Sequence, residues 1–277
     1  MRSISPFLDH KSKDPAVVVM DEKGIFAISL LSGHLGGANE LAGMLANLTG
    51  AIPVITTATD VNGRFAVDLF AKKNGLYIMN MDYAKQISAD ILDEKQIGFY
   101  SDFPVVGNVP EELSVWNERE VFEGTNGICV TLDVRKQPYK QSLNLIPKIV
   151  SIGVGCKKGT PLEKIEARVL KVLEKCGVAM QSIEQVASID LKKNEPGLKA
   201  FCEKYKLAFI TYTAEELRQV EGEFENSAFV EAITGVDNVC ERCAVRSADN
   251  GRLLWKKEAA DGVTVALAVR DWSVDFG

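Results

Sequence analysis

Residues 25–60 read IFAISLLSGHLGGANELAGMLANLTGAIPVITTATD, and this stretch decides the fold class. Ile25–Leu31 is a β-rich run, and the loop Ser32-Gly33-His34-Leu35-Gly36-Gly37 follows it. A helical stretch from Ala38 to about Leu48 stops at Gly50, and Ile52–Thr56 resumes as a strand. Upstream, Ala16–Met20 is a second β-rich run, set off by the turn Asp21-Glu22-Lys23-Gly24. Strand and helix in alternation are the mark of an α/β protein.

The rest of the chain extends that pattern. Helices are predicted around Phe65–Lys72 and Asp82–Ile91, and strands at Ile97–Tyr100 and Gly127–Leu132. QPYKQSLNLIPK (137–148) reads as a linker. Beyond it, Lys148–Val154 is a strand, and Thr160-Pro161-Leu162-Glu163 has the form of a capping box for a helix ending at Gly177. Val186–Leu191 and Leu207–Tyr212 read as strands around a helix Pro196–Tyr205, and Thr213-Ala214-Glu215-Glu216 is a second capping box. The chain closes with a hairpin that turns at Asp261-Gly262. Two or three small α/β domains with mixed or mainly parallel sheets are therefore expected, at 1–61, 62–147 and 148–277, the last ending in a β-hairpin.

Composition narrows the function. With 277 residues, 46% hydrophobic and 25% charged, the chain can bury a large core. Its longest apolar runs, such as AVVVM and LAFITY, are strand-sized, and the N-terminal MRSISPFLDHKSKD is too polar for a secretion signal. A cytoplasmic protein without membrane attachment is expected. A net charge of −6 argues against nucleic acid, and leaves room for a local basic pocket that takes an acidic small molecule. The six cysteines read as reduced thiols.

Within the first loop, His34 sits where a strand ends and a helix begins, flanked by glycines that allow close backbone approach. Backbone N–H groups at such a helix start can receive an oxyanion, and a histidine with an ordinary pKa of about 6.5 can act as a general base. Asn39 and Glu40 can orient it or bind substrate; the plainer reading is a tight turn with His34 packed or capping. His10 reads as a solvated loop residue. Thr57 and Asp60, in the loop after Ile52–Thr56, suit a ligand site or a helix cap. Val186-Ala187-Ser188-Ile189-Asp190 looks similar and is the weaker candidate.

A second glycine loop, Gly153-Val154-Gly155-Cys156-Lys157-Lys158-Gly159-Thr160, follows a strand and opens a helix. Its GxGxxxG spacing is not that of a dinucleotide fingerprint. Lys157 and Lys158 can pair with substrate carboxylates or lie solvated on a turn. Cys156 has no histidine near it in sequence. Cys240-Glu241-Arg242-Cys243 lacks the further ligands that zinc needs, so core packing on a helix is expected there.

Several of these strings together resemble one family. SISPFLDHKSKDPAVVVMDEKG, ISLLSGHLGGANELA and PVITTATD look like the N-terminal domain of the cobalt-precorrin-5A hydrolases of anaerobic cobalamin biosynthesis. GVGCKKGT, VASIDLKKNEPGL, TAEEL and DGVTVALAV look like the C-terminal domain of the same family. The resemblance runs the length of the chain and is weakest in the middle. Family members carry a further strand–helix segment ahead of the point matching Met1, so a first sheet short of strands is expected. The CERC cysteines fall where the family uses small helix residues.

The resemblance implies opening of a δ-lactone on a cobalt-containing tetrapyrrole, with loss of acetaldehyde and formation of cobalt-precorrin-5B. Set against the residues, His34 is the expected base, with the N–H groups of Gly36 and Gly37 or the Asn39 amide as oxyanion donors. Ser32, Gly33, Gly36, Gly37, Thr57, Asp60, Gly155, Lys157 and Lys158 are the expected substrate contacts, in a cleft shared by both glycine loops. Cobalt comes with the substrate, so neither a cofactor nor a protein metal site is expected. A homodimer, or hand-off to other enzymes of the pathway, fits the same picture. The alternatives are a non-catalytic corrinoid carrier, a nucleotide-dependent enzyme and a protein-partner module.

Overall fold

The structure, a computed structural model, describes residues 4–8, 14–34, 36–57, 61–116, 122 and 124–277. The first sheet has the order β1 (Val17–Met20), β2 (Phe26–Leu31), β3 (Ile52–Val54), with β1 antiparallel and β3 parallel to β2. The helix Ala38–Thr49 links β2 to β3 and ends at Gly50 in the left-handed conformation. It turns Ala38, Ala42 and Ala46 inward, so small side chains bring it close to the sheet, while Met44 and Leu48 stay exposed.

The central sheet runs β4 (Leu76–Ile78), β9 (Gln141–Pro147), β8 (Asn126–Val130), β5 (Ile97–Ser101), β7 (Leu113–Val115), all parallel except for β4. The helices Val67–Lys73 and Met81–Leu92 cover it, and Phe70, Ile87 and Ile91 pack against Phe99, Ile128 and Leu143. Here the expectation of a linker at 137–148 is overturned, because β9 is a buried strand in the middle of the sheet. Its Ser142 and Asn144 are buried with hydrogen-bond partners. Tyr139 N–H donates to Ser142 Oγ at 3.1 Å, and Asn144 Nδ2 donates to Lys136 O at 3.1 Å.

The C-terminal sheet runs β12 (Ala208–Tyr212), β11 (Ile183–Ile189), β10 (Val150–Cys156), β14 (Val263–Val269), β13 (Arg252–Ala260). The hairpin turns at Asp261-Gly262, both with positive φ (54° and 81°), as the sequence predicts. Side-chain size differs between its faces. Ile152, Val154, Val265 and Leu267 face the helices Leu162–Cys176 and Pro196–Tyr205. On the other face Ala187, Ala266 and Ala268, with Gly153 among them, meet the helix Val239–Ser247. A Cβ on Gly153 would lie 1.9 Å from the Cys240 carbonyl oxygen, so this helix rests on bare backbone. The cysteines of CERC are buried in that contact, as expected, and Cys240 Sγ donates to Gly153 O at 3.0 Å.

The second capping box forms, with Thr213 N–H donating to Glu216 at 2.7 Å and Glu216 N–H to Thr213 Oγ1 at 3.2 Å. The first does not. The helix begins at Leu162 with Pro161 in the cap position, and the Thr160 hydroxyl turns back to donate to Lys157 O at 2.7 Å. Residues 272–276 return to the central part: β15 (Val274–Asp275) pairs with β6 (Val105–Val106), and Phe276 stacks on Phe70 at 4.6 Å.

Candidate active site at the histidine loop

Ser32 ends β2 in the left-handed conformation (φ 55°), unusual for a residue other than glycine, and turns the chain into the loop. Two glycines then meet close contacts. A Cβ on Gly33 would lie 2.8 Å from Asn39 Oδ1, and one on Gly36 would lie 2.3 Å from Ser32 Cβ. Gly37 has φ 85° and leads into the helix. The loop then closes on itself. Gly37 N–H donates to His34 O at 3.1 Å, Ala38 N–H to Ser32 O at 3.1 Å and Asn39 N–H to Gly33 O at 3.0 Å. Asn39 ties in β2 and the segment after β3, donating from Nδ2 to Thr57 Oγ1 at 2.9 Å and accepting from Ser29 Oγ at 2.6 Å. The Ser32 hydroxyl donates to Asp14 O at 2.9 Å.

Two donors expected for an oxyanion, the Gly37 N–H and the Asn39 amide, are thus engaged within the loop. Thr57 is brought to it, Glu40 lies at its rim, and Asp60 and His10 lie outside the described residues.

His34 has a partner that sequence reading did not find. Its Nδ1 lies 3.0 and 3.1 Å from the two carboxylate oxygens of Asp68, in the first turn of the helix Val67–Lys73. The imidazole is nearly buried (8% exposed) and the carboxylate is 23% exposed. Burial pushes the Asp68 carboxyl up, but the hydrogen bond and charge of His34, with the Leu69 N–H, bring it below the ordinary range. An ionised carboxylate only accepts, so Nδ1 carries a proton whether the ring is charged or neutral, and Nε2 is the nitrogen that can give up or take the second proton. A carboxylate behind an imidazole is the arrangement that a general base in acyl transfer requires.

Glu40 lies 3.9 Å from Lys72, one helical turn beyond Asp68, and both line a cleft of about 580 Å³. Lys157 and Lys158 do not line it. They are exposed on a loop whose Lys157 N–H donates to Gly262 O at 3.1 Å and whose Gly159 N–H donates to the buried Glu195 at 2.5 Å. Gly155 is partly buried beside Thr264. Among the described residues no group of three or more His, Cys, Asp or Glu is placed to hold a metal ion, and no helix is long and apolar enough to cross a membrane.

Three family profiles match in order: Cobalamin synthesis G N-terminal over residues 1–60, Cobalamin biosynthesis central region over 65–147 and Cobalamin synthesis G C-terminus over 150–268. Together they define an α/β protein of cobalamin synthesis. A cobalt-precorrin-5A hydrolase from Priestia megaterium is 34% identical over 98% of this chain and 76% of its own length. One from Salmonella typhimurium is 34% identical over 97% and 78%. A solved structure, a cobalamin biosynthesis protein G homolog from Sulfolobus solfataricus, is 24% identical over 98% of this chain and 78% of its own, with a TM-score of 0.39. The chain belongs to the cobalt-precorrin-5A hydrolase family.

Proposed function

We propose that this chain hydrolyses cobalt-precorrin-5A, with His34 as the base and Asp68 as the residue that positions it. The observation that carries the role of His34 is its contact with both Asp68 oxygens at 3.0 and 3.1 Å. The family membership carries the substrate. His34 Nε2 takes a proton from water as the water oxygen bonds to the lactone carbonyl carbon. The acyl–oxygen bond of the ring then breaks as the leaving oxygen takes that proton back from His34, giving a carboxylic acid and a hydroxyethyl group and restoring the base. Loss of the hydroxyl proton forms the carbonyl of acetaldehyde as the carbon–carbon bond breaks. That electron pair passes into the conjugated macrocycle, which is protonated to give cobalt-precorrin-5B. In this reading cobalt enters and leaves with the substrate, and the expected compartment is the cytoplasm.

Anaerobic incubation with cobalt-precorrin-5A, followed by an acetaldehyde assay, tests this. Wild type is expected to release acetaldehyde, and His34→Ala to lose on the order of 100-fold or more in rate. The low exposure of the imidazole favours a second reading, in which His34 and Asp68 only tie the first sheet to the central helix. Equal release by wild type and a folded His34→Ala variant would establish that tie and remove His34 from the mechanism. Absence of release from wild type, with substrate bound, would favour the carrier.

A further inference from the structure

We propose that the cleft of about 580 Å³ beside the histidine loop is a carboxylate-binding subsite, in which Arg64 and Lys72 hold ionised side arms of a flat-ringed polycarboxylate. The identity of that ligand as a corrinoid rests on the hydrolase reading; the subsite rests on the geometry that follows.

The cleft joins two chemistries. Its walls are apolar, with Phe65, Leu69, Phe70 and Phe276 among the lining residues, and the first, third and fourth form a tilted-to-stacked cluster with centroids 4.6–6.2 Å apart. Its polar lining includes three cations, Arg64, Lys72 and Lys73, against two carboxylates, Glu40 and Asp275. With Glu94 and Glu112 beside Arg64, each cation already has a carboxylate partner, so an arriving carboxylate exchanges for one that is present beside the aromatic wall. An apolar ring edge fits the wall, and carboxylate arms fit the rim.

Lys72 is the most loosely held of the three, since Lys73 also donates to the Gly277 carbonyl and Arg64 donates to Glu94. Lys72 lies 3.9 Å from Glu40, Lys73 lies 3.4 Å from Asp275, and Arg64 is 3.0 Å from Glu94, whose side chain is 78% exposed, and 3.9 Å from Glu112. The Lys72–Glu40 pair is long and exposed on both sides, so exchanging Glu40 for a substrate carboxylate costs little. The arriving carboxylate gains from the aromatic wall, which excludes water from one side. Arg64 adds a planar fork suited to a two-point contact.

Position links the cleft to the chemistry. Lys72 is one helical turn from Asp68, and its Nζ is 3.7 Å from where a Cβ on Gly37 would stand. A carboxylate on Lys72 therefore lies against the loop that carries His34. This assigns to Arg64 and Lys72 the role that sequence reading gave to Lys157 and Lys158.

Cobyrinic acid, a stable cobalt corrinoid polycarboxylate without the lactone, serves as the probe, titrated into the full chain and followed by its visible absorbance. Lys72→Gln is expected to weaken binding about tenfold, and Arg64→Gln with Lys72→Gln further still, whereas Lys72→Arg keeps the affinity within about twofold. Affinity is expected to fall as salt is raised. The proposal is overturned if wild type fails to bind the probe. It is also overturned if the folded Arg64→Gln/Lys72→Gln variant binds as wild type does, or if Lys157→Gln/Lys158→Gln removes binding and the cleft variant does not. Because binding is read without turnover, a chain that binds the probe and releases no acetaldehyde overturns the hydrolase reading and leaves the subsite standing.

Discussion

Asp68 accepts from Nδ1 of His34 through both carboxylate oxygens, although the two residues are 34 positions apart and belong to different parts of the fold. The loop after β2 supplies the imidazole, and the helix over the central sheet supplies the carboxylate. One tautomer is thereby fixed, and the ring is held from behind. Replacing Asp68 by Asn keeps the size but allows the amide N–H₂ to face Nδ1, which favours the wrong tautomer. Asp68→Asn is expected to lower kcat on the order of 10- to 100-fold, with KM changed by less than about threefold. A drop in unfolding free energy with kcat at the wild-type value would mean that the pair is only a tie.

The two halves of this site were not equally legible. The histidine loop is local: strand, left-handed turn, three glycines and helix follow one another within a dozen residues, and the sequence pattern exposes each step. Asp68 has no such signal, since an acidic residue in the first turn of a helix is also what the helix dipole favours. Nothing in the spacing from His34 to Asp68 shows that the chain folds back to join them. The strand Gln141–Pro147 was hidden for a different reason. Its Ser142 and Asn144 look like linker residues because their buried hydrogen-bond partners, Tyr139 and Lys136, become visible only in the fold. The hairpin and the capping box at Thr213, both short-range, are as the sequence predicts.

Gly153 offers a test of how the C-terminal sheet and the helix Val239–Ser247 fit. The atom that an added Cβ would meet is a carbonyl oxygen of the helix backbone at 1.9 Å, and no rotamer change can move it. Gly153→Ala is expected to cost about 3 kcal/mol, at the upper end for overpacking, as a lower denaturant midpoint. Gly155→Ala, whose nearest contact would be 3.7 Å away, is the matched control and is expected to change stability by less than about 0.5 kcal/mol. Equal effects at both positions would show that the helix does not sit on the Gly153 backbone.

Asp102 should make the central sheet sensitive to acid. Burial pushes its carboxyl up, but hydrogen bonds and charge from Lys136, with hydroxyl donors on Thr131 (2.5 Å) and Tyr100 (2.9 Å), hold it below 3.8. A lowered folded pKa gives stability that is present above the unfolded value and lost as pH falls through the folded value. Denaturant midpoints measured from about pH 5 to about pH 2 are therefore expected to fall, and Asp102→Asn is expected to fall less steeply from a lower starting point. Parallel profiles for the two proteins would place the acid sensitivity elsewhere.

Tyr139, 7% exposed, carries a buried hydroxyl with no hydrogen-bond partner among the described residues. Its ring is fixed by its neighbours. It lies over Gly98 and Gly127 on adjacent strands, so closely that a Cβ on either would come within 2.3 Å of a ring atom. Trp116 and Phe122 meet it edge-on, at centroid distances of 5.8 and 5.3 Å. The ring thus contributes packing, while the oxygen pays a desolvation cost without compensation, the same burial that pushes the Tyr139 hydroxyl pKa up. Tyr139→Phe keeps every ring contact and removes the oxygen, so it is expected to raise stability by about 1 kcal/mol. Tyr139→Ala removes the ring and is expected to cost about 3–5 kcal/mol, as for other large aromatics in a core. The sign of the Phe variant decides the matter, because a hydroxyl that finds a partner in solution would make Tyr139→Phe destabilising.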